Sequence, residues 1–440
     1  MTAESIQTQS GGEATQAGNY FVSNYPPYSF WNAADVANAL AVFDRPPATR
    51  SPLGIYVHIP FCRKRCHFCY FKVYTDKNAA EVESYLDSLI QELTTYAAKP
   101  FIGGRKPTFI YFGGGTPSYM STTQLSRLVE AMKRLLPWDE AKEVAFECEP
   151  GTITEGKLAI IKDLGMTRIS LGIENFDDAI LEANGRAHRS KEIARAYEVA
   201  RNLGFDQINI DLISGMVGET DANWRECVRR TIEMAPESVT IYQMEVPYNT
   251  TLFKVHGQNV TAVASWATKR DWVRYAFAEM EKAGYTVCSA YTAVKDPAKT
   301  KFLYRDLLWA GADMLGLGVA SFSHVQGTHF QNEHDFATYQ ARVAKGELPL
   351  LRALTPSDEE RMIREFVLQM KLGHLEKSYF RDKFGVAVEE RFAEPIGQLR
   401  SAGLLSIDNG TIRLSRDGLL QVDGLLPGFF KPEHRVARKV

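Results

Sequence analysis

Six short runs rich in β-branched and aromatic residues recur along the chain, at 54–60, 107–112, 143–147, 167–172, 206–213 and 237–243. An amphipathic stretch follows each of them, at 79–98, 121–136, 154–164, 176–203, 220–234 and 265–283. This alternation constrains the fold more than any other feature. Parallel strands need a long crossover, and a helical crossover returns to the sheet with a fixed, right-handed sense. Repeated strand–helix units therefore give a parallel sheet. Eight such units close a barrel; six predict an α/β fold built as a partial, TIM-like (β/α)6 barrel. Ligands of such barrels gather at the C-terminal ends of the strands. The residues just after each run are the ones that matter.

The first run leads directly into Cys62-Arg-Lys-Arg-Cys66-His-Phe-Cys69, a C-x3-C-x2-C spacing. A [4Fe–4S] cube has four iron corners and ordinarily takes four thiolates. Three thiols on one short loop can hold three corners and leave an open iron for a small chelating ligand. Zinc would want a fourth Cys or His, and on spacing alone His58 or His67 keeps that alternative open. The remaining cysteines, Cys148, Cys227 and Cys288, lie singly in apolar stretches, which is no disulfide framework. A reducing, cytoplasmic setting is expected.

Other strand ends carry matching signals. The second run ends in Tyr111-Phe-Gly-Gly-Gly-Thr-Pro117, where glycines let the backbone approach a ligand without Cβ clashes. The third ends in Phe146-Glu-Cys-Glu-Pro150, the fourth in Ser170-Leu-Gly-Ile-Glu-Asn-Phe176, and the fifth in Asn209-Ile-Asp-Leu-Ile-Ser-Gly215. Carboxylates leaving buried strands are costly unless paired or used. Glu147, Glu174 and Asp211, with Arg186 downstream, form either a ligand site or a rim of salt bridges; four in register favour the ligand.

Taken together, Tyr56-Val-His-Ile-Pro-Phe-Cys62, Phe112-Gly-Gly-Gly-Thr-Pro117, Asn209-Ile-Asp-Leu-Ile213 and Leu315-Gly-Leu-Gly-Val-Ala320 resemble the HemN-like branch of the radical S-adenosylmethionine (SAM) enzymes. That branch holds oxygen-independent coproporphyrinogen III oxidases, haem chaperones, and related methylases and cyclopropanases. The resemblance runs in order from about Tyr20 to the C-terminus and implies a radical SAM barrel. It implies that Cys62, Cys66 and Cys69 bind the cluster and are the catalytic centre, with SAM on the open iron. Phe68 is expected near the adenine and Tyr56 beside cluster and SAM. Gly114 and Gly115 are expected at the methionine amine, and Glu147, Glu174, Arg186 and Asp211 at SAM. Gly115, Thr116 and Ala320 fall in segments that would reach a second SAM.

The chain departs from the coproporphyrinogen enzyme's pattern at two informative places. Phe71 stands where that enzyme has a fourth cysteine, and Glu174 where it has a glutamine. These departures favour methyl or methylene transfer to an unsaturated or aromatic carbon from a second SAM. The runner-up is coproporphyrinogen-type oxidative decarboxylation. A third reading is a haem chaperone, with His324, His329 and His334 as candidate ligands in a polar loop. Expected partners are a small-molecule substrate, an electron donor such as flavodoxin or ferredoxin, and a methyltransferase if the product is a cyclopropane.

The rest of the chain sets boundaries. Residues 1–18 read as disordered, 19–53 as an aromatic arm, 54–350 as the barrel with accessory segments, and 351–440 as a small α+β, winged-helix-like domain. The last begins with an N-cap in Thr355-Pro-Ser-Asp-Glu-Glu360 and ends in a hairpin turning at Asn409-Gly410. A winged helix invites a DNA-binding reading, yet mixed charge there and a net charge of −2 argue against nucleic acid. No apolar run long enough to span a bilayer is present.

Overall fold

The computed structural model describes residues 14–48, 51–257 and 262–435. Six strands occupy the expected places: β1 (Leu53–Ile59), β2 (Phe109–Gly114), β3 (Glu143–Cys148), β4 (Arg168–Glu174), β5 (Gln207–Ser214) and β6 (Ser238–Gln243). Later strands are β7 (Thr286–Val287), β8 (Thr292–Val294), β9 (Asp313–Leu317), β10 (Phe322–Val325), β11 (Thr328–Asn332) and β12 (Leu350–Leu354). The C-terminal ones are β13 (His374–Glu376), β14 (Leu405–Asp408) and β15 (Thr411–Leu414). The chain divides into two compact units, one of residues 30–211 and 301–356, the other of 1–29, 212–300 and 357–440.

In the first unit β1 pairs in parallel with β2, β2 with β3 and β3 with β4, and the first half of β5 continues the order. β1 is buried along most of its length, as a strand covered on both faces must be. Its other edge is taken by β9, also parallel, in the register Gly54↔Met314 to Val57↔Leu317. The sequence marks Leu315–Ala320 as a family motif but not as a strand beside β1. Beyond β9, strands β10, β11 and β12 continue antiparallel. The crossover helices start where side chains cap them: Asn78 and Glu81 form a capping box for Ala79–Ala97, and Ser121 and Gln124 one for Thr122–Leu135.

Two expectations change here. The stretch 176–203 is two helices, Asp178–Ala183 and Ser190–Leu203, rather than one. Asn184 and the left-handed Gly185 (φ 75°) stop the first, and the second begins afresh at Arg189 and Glu192. The polar loop carrying His324 and His329 is a β-hairpin. The two residues face each other across β10 and β11, turning at Gln326 and Gly327, both at positive φ.

The second unit holds β6, β8 and β7 as an antiparallel set, and a small sheet in the order β13-β15-β14. Ser357 caps the helix Asp358–Met370 through a capping box with Glu360. The hairpin of β14 and β15 turns at Asn409 (φ 40°) and Gly410 (φ 94°), the signature of an Asn-Gly turn. Of the expected disordered start, residues 1–13 lie outside the described residues. Residues 14–18 are packed rather than loose: Thr15 and Ala17 are buried and Gly18 bridges to Val246.

Candidate functional site

The cysteine loop leaves the end of β1 and is tied at its base. Cys62 N–H donates to the Tyr74 carbonyl (3.0 Å), and Tyr74 N–H returns to that of Pro60 (2.7 Å). Within the loop Cys69 N–H reaches Cys66 O, and His67 N–H reaches Asn184 O. Gly185 permits that last approach, since a Cβ there would lie 2.7 Å from the His67 ring. All three thiols are half-buried and free. Burial pushes Cys62 up to about 12 and Cys69 up to about 11, so an iron would have to displace their protons on binding.

The end of β2 fits closely against the loop's root. A Cβ on Gly115 would come within 3.0 Å of Ile59 and Pro60 backbone atoms, and one on Gly114 (φ 110°) within 2.5 Å of the His58 ring. His58 faces Tyr56 Oη through Nδ1 (3.2 Å), and His67 Nδ1 faces the Ala183 carbonyl. The zinc alternative needed one of these rings turned to the thiols. Among the described residues no three His, Cys, Asp or Glu side chains are gathered for a single ion. A cube takes one thiolate per iron, so its thiols need not converge on one centre.

The acidic strand ends come together. Glu147 accepts from Tyr111 Oη (2.7 Å) and Gly114 N–H (3.2 Å); Asp211 accepts from Ser170 Oγ (2.6 Å) and Asn209 Nδ2 (2.8 Å). Glu174 ends β4 in the left-handed region (φ 66°), a strained conformation for this residue, 3.6 Å from Arg186. Burial raises all three carboxyls; with added repulsion from Asp211, and at Glu174 also from Glu147, Glu147 and Glu174 reach about 7. Arg186 donates to Cys66 Sγ (3.2 Å) and to the Gly172 carbonyl, in space that Gly172 leaves open.

A cavity joins much of this set. It is lined by Cys62, Cys66, Phe68, Cys69, Gly114, Gly115, Thr116, Glu174 and Arg186, with Arg63, Lys64, Arg65, Phe71 and Glu149 also on its wall. Tyr56, Glu147, Asp211 and Ala320 are not among the lining residues. Ala320 follows β9 at φ 59°, its N–H on the Glu333 carbonyl.

Sequence reasoning missed Glu149. Arg63 holds it through two nitrogens and His188 Nδ1 sits 3.1 Å away. Burial would raise its carboxyl, but those two partners outweigh it and bring it down to about 2. The signal was present in the same strand end as Glu147. His324 and His329 are buried, with Trp31 stacked on His329, and His334 is exposed, so the three do not form one group.

Residues 56–231 match the radical SAM superfamily, and residues 357–420 the HemN C-terminal domain. The chain belongs to the HemN-like branch of the radical SAM superfamily. Members of this superfamily use a [4Fe–4S] cluster and SAM, and the residues here fit both. Three thiols line one cavity, the glycine cradle is one a Cβ would fill, and Glu174 on the same wall pairs with the Arg186 guanidinium. The chain is 27% identical over 367 residues to the heme chaperone HemW of Bacillus subtilis, covering 83% of this chain and 96% of that one. It is 25% identical over 418 residues to the oxygen-independent coproporphyrinogen III oxidase of Pseudomonas aeruginosa, covering 90% of each. The solved coproporphyrinogen III oxidase HemN of Escherichia coli superposes with a TM-score of 0.79 at 23% identity, over 92% of this chain and 96% of that chain. That likeness shows the same fold. No described helix is long and apolar enough to cross a membrane.

Proposed function

We propose that this radical SAM enzyme transfers a methyl or methylene group from a second SAM to an unsaturated or aromatic carbon of a small molecule. Cys62, Cys66 and Cys69 would hold the [4Fe–4S] cluster, which together with SAM would supply reductive SAM cleavage and the hydrogen abstraction that follows from it. The chain's own residues bind and orient. The observation that carries SAM binding is the charge deficit at the strand ends. Burial raises all three carboxyls, and repulsion from Asp211 adds to it at Glu147 and Glu174, with Arg186 the cation beside Glu174. A ligand bringing a sulfonium and an ammonium relieves that repulsion. Phe68 offers an adenine a ring in the cavity wall, and Tyr56 stands beside His58 and Tyr111. Gly115, Thr116 and Ala320 are assigned to the second SAM.

Phe71 and Glu174 support transfer over decarboxylation, because both alter the cavity wall where the coproporphyrinogen-type pattern differs. Equilibrium dialysis of the reconstituted protein should find two SAM per chain. With substrate turning over, methyl-deuterated SAM should yield deoxyadenosine and S-adenosylhomocysteine near one to one, with label in the product. Deoxyadenosine alone would refute transfer. Coproporphyrinogen III should not be decarboxylated; its conversion would establish the second reading, which the Pseudomonas relative favours. The HemW relative favours a third, haem binding. A Soret band lost on substituting His324 and His329 would support it. A flavodoxin or ferredoxin as electron donor, a methyltransferase where a cyclopropane is made, and a cytoplasmic location complete the proposal.

A further inference from the structure

Two side chains outside the thiol set donate hydrogen bonds to its sulfurs. Thr116 Oγ1–H donates to Cys62 Sγ at 3.3 Å, and Arg186 Nη1–H to Cys66 Sγ at 3.2 Å. Neither contact is accidental in its geometry. Thr116 is buried at the end of β2, and Gly115 beside it is pressed on the backbone of Ile59 and Pro60 so tightly that no Cβ would fit. This fixes the threonine against the first cysteine. Arg186 is fixed from the other side, by the Gly172 carbonyl, and follows Gly185, which is locked against the His67 ring. Each donor is therefore set by a glycine contact between the cysteine loop and a neighbouring element.

We propose that Thr116 and Arg186 are positioning residues that set the reduction potential of the cluster through its cysteine sulfurs, in addition to any contact with SAM. The inference rests on the cluster that the Proposed function also requires. Reduction adds negative charge to a cluster, and part of that charge resides on the thiolate sulfurs. A hydrogen bond to such a sulfur stabilises the reduced state and raises the potential. Arg186 adds a full positive charge to its hydrogen bond, so its effect is the larger. Cys69 differs: the donor to its sulfur is the backbone of Phe71 rather than a side chain, and Arg65 donates to its carbonyl oxygen (3.2 Å). The three thiolates thus have unequal environments.

The test is a potentiometric titration of the anaerobically reconstituted full chain without SAM, followed by the reduced-cluster EPR signal. Iron and sulfide content are measured in parallel. Thr116→Val removes the hydroxyl at nearly constant volume, and should lower the midpoint potential with four irons still bound. Thr116→Ser keeps the donor and should stay at the wild-type value. Arg186→Met should lower the potential further than Thr116→Val. Where the valine is not accommodated, Thr116→Ala asks the same question. Full cluster content with wild-type potentials in Thr116→Val (or Thr116→Ala) and Arg186→Met would overturn the inference. A wild-type chain that takes up no four-iron cluster fails the Proposed function instead, so the two failures are distinct.

Discussion

Cys66 and Cys148 are the same residue in opposite settings. Cys66 sits half-buried in a loop with an arginine on its sulfur, whereas Cys148 ends β3 in the core, its thiol pushed far up by burial. Cys66→Ala should abolish both cluster retention and deoxyadenosine formation. Cys148→Ala should leave both intact and cost about 1 kcal/mol of stability, the value of a small buried side chain; iron content and product assays distinguish them. Glu147 gives a pH prediction. Its carboxyl is raised in the folded state, to about 7, by burial first and by Asp211. The folded protein then holds the proton more tightly than the unfolded chain, so stability is lost as pH rises from about 4.5 to about 7. The loss from this one group is at most ~3 kcal/mol. Glu147→Gln should flatten that part of the stability–pH curve, read by denaturant melts without SAM. The same variant should weaken SAM binding. An unchanged curve together with normal SAM affinity would make Glu147 a bystander. Glu147 and Glu149 share one strand end, so position marks both as candidates; what the sequence does not show is that Arg63 and His188, from distant positions, hold Glu149.

At the scale of elements, the alternation of strand and helix was readable because each period is local, and β1 to β6 fall within about two residues of their expected bounds. What local pattern cannot show is which strand lies beside which. β9 pairs with β1 from more than 250 residues away, and its five residues are too short a run to stand out as a strand. The split of 176–203 was missed for a related reason. Amphipathic stretches lie on both sides of the polar Asn184–Arg189, where the backbone leaves the helix at Gly185. The join between β2 and the cysteine loop supplies the element-scale prediction. Gly115→Ala would place a Cβ 2.9 Å from the Ile59 carbonyl oxygen and from Pro60 C, neither of which can yield as a side-chain tip could. The strand end and the loop must then separate. Cluster content after reconstitution should fall several-fold, while far-UV circular dichroism stays close to wild type. Full cluster content in Gly115→Ala would show the close approach to be dispensable.

On the scale of the whole molecule, the notable fact is how the second unit is assembled from three separated stretches of chain. Asp423 is where they meet. It accepts from Val22 N–H (2.8 Å), pairs with Lys371 Nζ (2.9 Å) and accepts from Tyr291 Oη. Lys371 is fully buried, donates also to the Val22 carbonyl (2.6 Å) and lies over the Phe21 ring. One carboxylate therefore ties the N-terminal arm, the segment after β7 and the C-terminal helices. No sequence pattern announces this, since the partners lie up to 401 positions apart. A buried ion pair need not stabilise relative to an apolar pair of similar shape, yet removing one partner leaves the other charge stranded. Asp423→Asn should accordingly cost about 3–5 kcal/mol. For a unit of this size that lowers its thermal transition by roughly 6–20 °C. The double variant Lys371→Met, Asp423→Leu removes both charges and should recover much of the loss. A single variant melting like the wild type would mean that water already reaches Lys371. A double variant no better than Asp423→Asn would put the weight on the hydrogen bonds to Val22 and Tyr291, making Asp423 a backbone clasp rather than a counter-ion.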